Sequence, residues 1–576
     1  MQLDGSKGHN SPDLSSFSSE APLDPGSADF STQNTVTLTS PSIRKRCLPW
    51  LLVALVVLFA AYVRFRLRDF PLERDEGEYA YAGQLILQGI PPYKLAYNMK
   101  LPGTYAAYAL IMALFGETAQ GIHLGLLVVN GINIVLVFLL GRRLFDSTAG
   151  VVAAACYGVL SLSEVFLGLA AHATHFVVLP MLIGVLCLLR AISTGRSAAY
   201  LASGLLFGLA FLMKQQGVFF GLFGGAWIAW EELKQQPRVW HRTIERVSWF
   251  SVGCALPFGI VCILLWLSGV FGMFWFWTFQ YAREYVSEMP FSEGKLFLWG
   301  MVKSAVVPFW PIGALAAGGF VALWRRRSDL SRAAFATAFF LFSFLTVWPG
   351  FYFRGHYFIA VLPATALLAG VGASSLRRRL LAMTIPGALL HLPVLLTVIV
   401  VLYPIWWERA TFLTMTAVEA SREVYGMNPF PESLEIARYI RANSTTDARV
   451  AIIGSEPQIY FYSRRHSATG FIYAYGLGEA QLFARQMQRQ MIHEIERAKP
   501  EFFVIVNVPT SLAFAPNAPR DILTWSDDYT YANYKLVGIV DLLSPAKTEY
   551  RWNYAAVGVV PRSRVYILVF KRKPAG

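Results

Sequence analysis

The sequence predicts a polytopic α-helical membrane protein with a C-terminal soluble α/β domain. Of the 576 residues, 55% are hydrophobic and only 15% are charged, whereas a soluble domain usually carries about 25% charged residues. Apolar segments long enough to span a bilayer recur up to residue 405, and short β-like runs follow them. These observations together set the fold class.

Residues 1–43 predict a disordered cytoplasmic tail, because they are rich in Ser, Pro, Asp and Thr and contain few large apolar side chains. They lack the basic start and apolar core of a signal peptide, so we expect the tail to remain in the mature protein. The basic residues at 44–46 precede the first apolar run and favour an N-terminus in the cytoplasm.

A membrane domain is predicted for residues 44–405. One span needs about 20 apolar residues, so about eleven spans are expected. They lie near 48–63, 120–141, 148–166, 174–191, 199–213, 217–231, 249–270, 301–324, 333–349, 357–375 and 381–403. Basic clusters follow alternate spans, at 142–143, 190 with 196, 234–246, 325–327 with 332, and 377–379. By the positive-inside rule these clusters are cytoplasmic and the C-terminal region is external, although Arg64, Arg66 and Arg68 favour the opposite orientation.

Residues 406–576 predict an external (periplasmic) α/β domain. Strands are expected at 450–454, 502–508, 536–540 and 565–570, and helices at 432–442 and 479–498. A domain of this size can bury its own core. It shows neither a glycine-rich phosphate loop nor a catalytic triad.

The net charge of +14 does not indicate a nucleic-acid partner, because most arginines flank apolar segments as topology signals. The five cysteines show neither metal-ligand spacing nor a disulfide framework. We interpret them as buried small hydrophobic side chains. Membrane lipids are the partners that this composition favours.

The first external loop, 64–118, contains the most unusual stretch, ERDEGEYAYAGQLILQGIPPYKLAYNMKLPG at 73–103. Asp75 with Glu78 resembles a capping box, which predicts a helix that begins at Asp75. Gly89 and the prolines at 91–92 would end it after about Gln88. Tyr79, Ala82 and Ile86 share one face of this helix, which we expect to lie along the lipid interface.

With this topology, the external ends of the spans collect a set of polar residues. They are Asp75, Glu76, Glu78, Lys100, Glu164, His172, His175, Lys214, Gln215, Tyr281, Arg283, Glu284, Tyr285, Arg354 and His356. Polar groups near membrane depth are costly, so their convergence on one side predicts a site there. A carboxylate facing several cations suits a reaction in which a hydroxyl loses its proton to the carboxylate while a phosphate leaves.

Four motifs resemble the dolichyl-phosphate-mannose protein mannosyltransferases and their bacterial relatives, which include the lipid A aminoarabinose transferases. They are R-D-E-x-x-Y-A at 74–80, Lys-Leu-Pro at 100–102, LMKQQG at 212–217 and GHYFIAVL at 355–362. The resemblance implies a GT-C membrane fold over about 48–405. It also implies transfer of a sugar from a polyprenyl-phosphate carrier to an acceptor outside the cytoplasmic membrane.

The resemblance also implies roles for particular residues. Asp75 matches the family's catalytic acidic position, and Glu76 is its neighbour in the motif. The donor phosphate is expected near Lys100, with Lys214, His356 and Arg354 as further contacts.

The second external loop departs from the family pattern. Many relatives carry an acidic residue where Ala173-Thr174-His175-Phe176 stands in this sequence. A second polar site is therefore assigned to Glu164, His172 and His175 as alternatives. The two histidines lie at i and i+3, the spacing of a metal pair, but we interpret them as interfacial polar residues because the sequence shows no third ligand. No cofactor is required, and a divalent metal stays an open alternative.

The functional hypothesis is an integral-membrane glycosyltransferase in which Asp75 acts as general base and the sugar is transferred with inversion. The acceptor is a lipid, a glycan or a protein, and the expected location is a bacterial inner membrane. A transporter or lipid flippase is the first alternative, although such proteins often show repeats and charges at mid-membrane. A membrane scaffold is the second, and it would separate Asp75 from Lys100 and Lys214.

Overall fold

A computed structural model describes residues 43–574 of the protein, except 238, 326–329 and 383–391. The predicted disordered tail, 1–43, lies outside the described residues apart from its last residue. Part of the predicted span at 381–403 lies outside them as well. All statements below concern the described part of the chain.

The first part of the chain is helical. Its helices are α1 (Ile43–Arg66), α2 (Arg74–Leu87), α3 (Gly103–Phe115), α4 (Ala119–Leu144), α5 (Ser147–Leu160), α6 (Ala173–Thr194), α7 (Ser197–Met213), α8 (Val218–Leu233), α9 (Trp240–Leu267), α10 (Phe271–Trp275), α11 (Ala282–Ser287), α12 (Phe291–Trp324), α13 (Leu330–Leu345), α14 (Leu362–Ala382) and α15 (Leu392–Trp407). Each predicted span overlaps one of these helices. In the described chain, α1, α4, α6, α9 and α12 are long and apolar enough to cross a bilayer. The prediction of a polytopic helical membrane protein is confirmed.

The loops that alternate with the basic clusters meet at one end of the helix bundle. Thr104 at the start of α3 donates a hydrogen bond to the carbonyl of Met213, at 2.7 Å, where α7 ends. The ring of His172, before α6, stacks on that of His356, before α14, with centroids 4.2 Å apart. The helix ends that the sequence placed on one side of the membrane are therefore in contact.

The C-terminal part contains a six-stranded mixed sheet. Its helices are α16 (Ala417–Tyr425), α17 (Phe430–Ala442), α18 (Gln458–Ser463), α19 (Tyr475–Gly478), α20 (Ala484–Ala498), α21 (Pro509–Leu512) and α22 (Asp521–Asn533). Its strands are β1 (Arg449–Ile453), β2 (His466–Ser467), β3 (Phe502–Asn507), β4 (Tyr534–Ser544), β5 (Lys547–Trp552) and β6 (Tyr566–Arg572).

The strand order is β2-β1-β3-β6-β4-β5, parallel from β2 to β3 and antiparallel beyond. The four predicted strands correspond to β1, β3, β4 and β6. The prediction omitted β2, which has only two residues, and β5. Strand β5 lies at the sheet edge and is polar, KTEYRW, so it carries no hydrophobic signal.

The predicted start of α2 is wrong, because the helix cap lies before Asp75. Glu73 is the N-cap, and its carboxylate accepts from the backbone N–H of Glu76 while Glu76 accepts from that of Glu73. The helix begins earlier because the preceding Leu72 is fully buried and its N–H donates to the Tyr462 hydroxyl at 2.9 Å. Asp75 therefore does not cap the helix, and its side chain is available for other contacts. The predicted end at Gln88 is confirmed.

Helix α2 does not lie along the lipid interface as the sequence suggested. Tyr79 and Ala82 on its apolar face are 3% and 1% exposed. A Cβ on Gly77 would lie 2.6 Å from the backbone nitrogen of Gln458, so α18 packs directly on the helix backbone. The apolar face packs on α3, where the Tyr79 ring contacts those of Tyr105 and Tyr108. The C-terminal part covers another face of α2, so the helix is buried in protein instead of lipid.

Arg74, the first residue of α2, connects the loop helix to the C-terminal part. Its guanidinium donates to the Ser455 carbonyl at 2.6 Å, to the Tyr475 hydroxyl at 2.8 Å and to the Glu456 carboxylate at 2.8 Å. The Glu456 side chain is fully buried. A buried carboxylate needs such a partner, because an uncompensated charge is costly away from water.

We predict that Arg74→Met destabilises the protein by ~3–5 kcal/mol, because it leaves Glu456 buried without its counter-charge. The measurement is thermal unfolding of the full-length protein in detergent. Arg438→Met is the control, because its ion pair with Glu435 is solvent-exposed and such pairs contribute at most about 1 kcal/mol. Equal unfolding midpoints for the two variants would contradict the prediction.

Candidate active site

Asp75 lies at the centre of a cluster of charged and hydroxyl groups. Its Oδ1 accepts hydrogen bonds from the Lys100 ammonium at 2.7 Å and from the Tyr473 hydroxyl at 2.9 Å. The same ammonium donates to Glu78 Oε2 at 2.7 Å and lies 4.6 Å from the centre of the Tyr79 ring. Lys100 thus holds two carboxylates one helical turn apart on α2.

The charges in this cluster change one another's ionisation. Burial alone would raise the pKa of Asp75, but the charge and hydrogen bond of the Lys100 ammonium bring it well below its ordinary value. Burial raises the pKa of Glu78, and Lys100 only partly offsets that effect. Asp75 is therefore ionised at neutral pH.

Two buried histidines face the other oxygen of Asp75. His172 Nδ1 and His356 Nε2 each lie 4.0 Å from Asp75 Oδ2. Among the described residues, neither ring nitrogen of His172 has a hydrogen-bond partner. Burial lowers the pKa of His172 to about 4 and that of His356 well below its ordinary value. Both imidazoles are therefore neutral and can act as ligands.

These three residues form a candidate metal site. Within the described chain, one ligand atom each from Asp75, His172 and His356 lies within 4.8 Å of the others. Two neutral imidazoles and a carboxylate are a donor set that suits zinc and leaves a coordination position open. The unpartnered nitrogens of His172 fit this assignment, because buried polar atoms usually have partners.

Lys214 and Arg354 are two further cations beside the cluster. Lys214, at the end of α7, is 3.8 Å from the centre of the Tyr357 ring and 3.4 Å from Thr174 Oγ1. Burial is the main cause that lowers the pKa of Lys214 to about 7, and Lys100 and Arg354 add to it while Asp75 opposes it. A buried ammonium with so little compensation is suited to hold an anion.

Two cavities meet at Asp75. One, of about 1110 Å³, is lined by Lys214 and by mainly apolar residues such as Met213, Val218 and Phe219. The other, of about 680 Å³, is lined by aromatic and polar side chains that include Arg354 and residues of the C-terminal part. Residues common to both are Asp75, Met99, Lys100, Tyr285, His356 and Tyr357. A molecule with an apolar tail and a polar head can therefore span the junction.

The structure brings together six of the nine site residues indicated by the sequence: Asp75, Lys100, His172, Lys214, Arg354 and His356. The other three lie elsewhere. Glu76 is fully buried and accepts hydrogen bonds from His123 Nε2 at 3.0 Å and from the Ala171 N–H at 2.6 Å. His175 donates to the Gly168 carbonyl, at 3.2 Å. Glu164 lines a different cleft.

The sequence placed Glu78 in the converging polar set without a role of its own, and it assigned no site role to any residue of the C-terminal part. Tyr473, Tyr475 and Glu479 line the aromatic cavity. They belong to the segment between β2 and α20, which includes the short helix α19 and contains no motif that indicates its position beside Asp75. Among these residues only Glu78 gave a signal in the sequence, because it follows Asp75 by three residues. We interpreted that spacing as a capping box.

Comparisons with known proteins identify related sequences and folds. Residues 100–278 match the family "Dolichyl-phosphate-mannose-protein mannosyltransferase". Curated relatives are undecaprenyl phosphate-alpha-4-amino-4-deoxy-L-arabinose arabinosyl transferases from two strains of Pseudomonas aeruginosa, 26% identical. The match covers 43% of this chain and 49% of each relative, so the chain spans about half the length of these proteins.

Two solved structures share the fold. ArnT from Cupriavidus metallidurans, bound to undecaprenyl phosphate, has a TM-score of 0.57 at 16% identity and covers 91% of this chain and 98% of its own. The archaeal oligosaccharyltransferase AglB from Archaeoglobus fulgidus, in complex with an inhibitory peptide and a dolichol-phosphate, has a TM-score of 0.52 at 14% identity, over 93% and 77% of the two chains. The resemblance seen in the sequence is thus confirmed: the chain has an ArnT-like fold, and over residues 100–278 it matches the dolichyl-phosphate-mannose-protein mannosyltransferase family.

Proposed function

We propose that this chain is a membrane glycosyltransferase that moves a sugar from a polyprenyl-phosphate carrier to an acceptor. The observation that carries the proposal is the position of Asp75 and Lys100 where an apolar cavity meets an aromatic, polar one. A donor with a hydrocarbon tail, a phosphate and a sugar matches this order, with the tail in the apolar cavity, the phosphate at the junction and the sugar towards the polar cavity. The relatives named for their undecaprenyl phosphate chemistry support the same donor class.

In this proposal the carrier's tail occupies the apolar cavity and its phosphate lies among the cations. Lys214 is at the apolar side of the junction, Arg354 at the polar side, and Lys100 lines both cavities. Phosphate oxygens accept charge-assisted hydrogen bonds from such groups. The same cations stabilise the negative charge that develops on the phosphate as it leaves.

Asp75 is the general base of the proposed reaction. The acceptor hydroxyl or amine attacks the anomeric carbon, its proton passes to Asp75, and the bond from that carbon to the phosphate oxygen breaks. A bound phosphate neutralises part of the charge of Lys100, which relieves its hold on Asp75 and raises the basicity of the carboxylate. The attack is in line, so the anomeric configuration inverts, and no covalent intermediate is needed.

The acceptor enters through the aromatic cavity, where Trp277, Tyr281 and Tyr473 provide ring faces. Rings of this kind pack against sugars while their polar atoms donate hydrogen bonds. The acceptor class stays open among a lipid, a glycan and a protein.

A divalent metal is part of the proposal as an alternative arrangement. Asp75, His172 and His356 would hold it, and when bound it would polarise an oxygen of the donor or the acceptor. In that arrangement the two neutral imidazoles position the ion, and Lys100 keeps Asp75 ionised as its ligand.

The proposed orientation places the site on the external face of a bacterial inner membrane. Arg142 and Arg143 end α4 and Arg379 lies in the last turn of α14, whereas His172 and His356 precede α6 and α14. The positive-inside rule assigns the ends with the arginines to the cytoplasm. The N-terminus is then cytoplasmic, residues 44–405 form the membrane domain, and residues 406–576 form a periplasmic domain.

The alternatives are less consistent with the structure. A transporter or flippase is disfavoured by the ArnT-like fold. A scaffold without catalysis would separate Asp75 from Lys100, yet their charged atoms lie 2.7 Å apart.

We predict that membranes with the wild-type protein consume a polyprenyl-phosphate sugar and that Asp75→Asn lowers the rate by about 10²–10⁴-fold, the usual contribution of a general base. The measurement is loss of radiolabel from the lipid fraction, over a panel of donor sugars, with and without a chelator. Asp447→Asn, at an exposed carboxylate, is the matched control. Equal rates for wild type and Asp75→Asn would exclude Asp75 as the base, and a chelator effect would assign the metal.

We predict that donor binding weakens as pH rises above 7. Lys214 has a pKa of about 7, so it is charged below that pH and loses its proton, and with it the attraction for the phosphate, above it. The donor is a phosphodiester whose own charge is constant near neutrality, so KM for the donor should rise by about tenfold between pH 7 and pH 8.5. Lys214→Arg, which stays protonated, should remove this dependence. An unchanged profile in Lys214→Arg would assign the titration to another group.

A further inference from the structure

Glu164, which the sequence suggested as a second acidic residue of the active site, lines a separate cleft of about 810 Å³. The cleft lies between α12, the end of α15 and the loop that follows α5. Its polar lining consists of Glu164, Lys303, Ser304, Glu408, Thr411 and Glu423. It contains none of the residues that surround Asp75.

Glu408 is the feature of this cleft that indicates a ligand. The residue is only 7% exposed, and its Oε1 accepts a hydrogen bond from Ser163 Oγ at 2.6 Å. Its Oε2 is buried and has no hydrogen-bond partner among the described residues. A buried carboxylate oxygen without a partner costs free energy, which a bound cation would recover.

The neighbouring carboxylate of Glu164 adds a second acidic group beside Glu408. Glu164 accepts a hydrogen bond from the Thr411 hydroxyl and lies near Glu408. Burial first, and Glu164 second, raise the pKa of Glu408 to about 8 against the effect of the bond from Ser163. Among the described residues, neither carboxylate has an ion pair within 4 Å.

The cleft also contains an anion-binding group, since Lys303 lines it from α12. From Lys303 to Arg325 at the other end of α12, 22 residues rise about 33 Å, close to the roughly 30 Å thickness of the hydrocarbon core. Lys303 therefore lies at the lipid head-group level. A cleft with both signs of charge suits a zwitterion better than a divalent cation.

An apolar surface continues from the cleft along the lipid-facing side of α12. Val307 and Trp310 follow Lys303 at i+4 and i+7, so the three residues share one face. Val307 is 48% and Trp310 57% exposed, and Trp407 beside the cleft is 45% exposed. Exposed apolar and aromatic side chains at this depth are typical of contact with lipid chains and interfaces.

We propose that this cleft binds the head group of a phospholipid that carries a primary ammonium beside its phosphate. Glu408 and Glu164 accept hydrogen bonds from the ammonium, and Lys303 donates to the phosphate. The acyl chains lie along Val307 and Trp310. The proposal is independent of the proposed enzymatic function, because the cleft and the active-site cavities share no lining residue.

The experiment is native mass spectrometry of the full-length, delipidated protein with an equimolar mixture of three phospholipids of identical acyl chains. Phosphatidylethanolamine has the ammonium donors, phosphatidylcholine has a cation without N–H donors, and phosphatidylglycerol has no cation. We expect the wild type to retain phosphatidylethanolamine about tenfold over the other two, since hydrogen bonds between charged groups are worth at least this factor.

The variants separate the two halves of the head group. Glu408→Gln keeps the shape and the bond from Ser163, and it should abolish the preference for phosphatidylethanolamine over phosphatidylcholine. Lys303→Gln should weaken retention of both lipids and leave their ratio unchanged, because both carry the phosphate. Glu435→Gln, whose carboxylate pairs with an exposed arginine, should behave as wild type. If Glu408→Gln does not fold, Glu164→Gln replaces it.

Equal retention of the three lipids by the wild type would overturn the proposal. So would an unchanged lipid preference in Glu408→Gln. Calcium binding that Glu408→Gln abolishes, without any lipid preference in the wild type, would identify a divalent-cation site instead and would equally overturn it.

Discussion

The half-buried ion pair between Asp75 and Lys100 is the interaction on which the site depends. Helix α2 begins with four carboxylates within six residues, Glu73, Asp75, Glu76 and Glu78, and three of them are at most 6% exposed. Without partners these charges would repel one another and oppose burial. Lys100 compensates Asp75 and Glu78 together. The cavities around Asp75 therefore depend on the contact between Lys100 and α2.

The C-terminal part completes the site as well as covering it. Tyr473 donates to Asp75, and Arg74, one residue away on α2, is anchored at Ser455 and Glu456. Any shift of the sheet relative to α2 would thus move a hydrogen-bond donor of the candidate base. The C-terminal part therefore contacts Asp75 directly, which its sequence does not reveal. The aromatic cavity is accordingly lined from both parts of the chain.

Local patterns in the sequence predicted the features that depend on local physics. Hydropathy located the apolar helices, because a segment that crosses a bilayer must be apolar over most of its length. The capping box was displaced because contacts with Tyr462, distant in sequence, fix the start of α2. His172 and Glu164 were recognised as polar, but only the fold decides that the first turns towards Asp75 and the second towards Glu408. Tyr473 could not be predicted, since nothing in its own segment encodes a contact made across the whole chain.

The most direct test of the account is a double-mutant cycle on donor turnover with Asp75→Asn, Lys100→Gln and the double variant. If the two residues act as one unit at the reacting atoms, the double variant is about as slow as Asp75→Asn alone, because removing the second member of a unit costs little more. Rates that fall by the product of the two single effects would show that Asp75 and Lys100 act independently. That result would contradict the central role assigned to their ion pair.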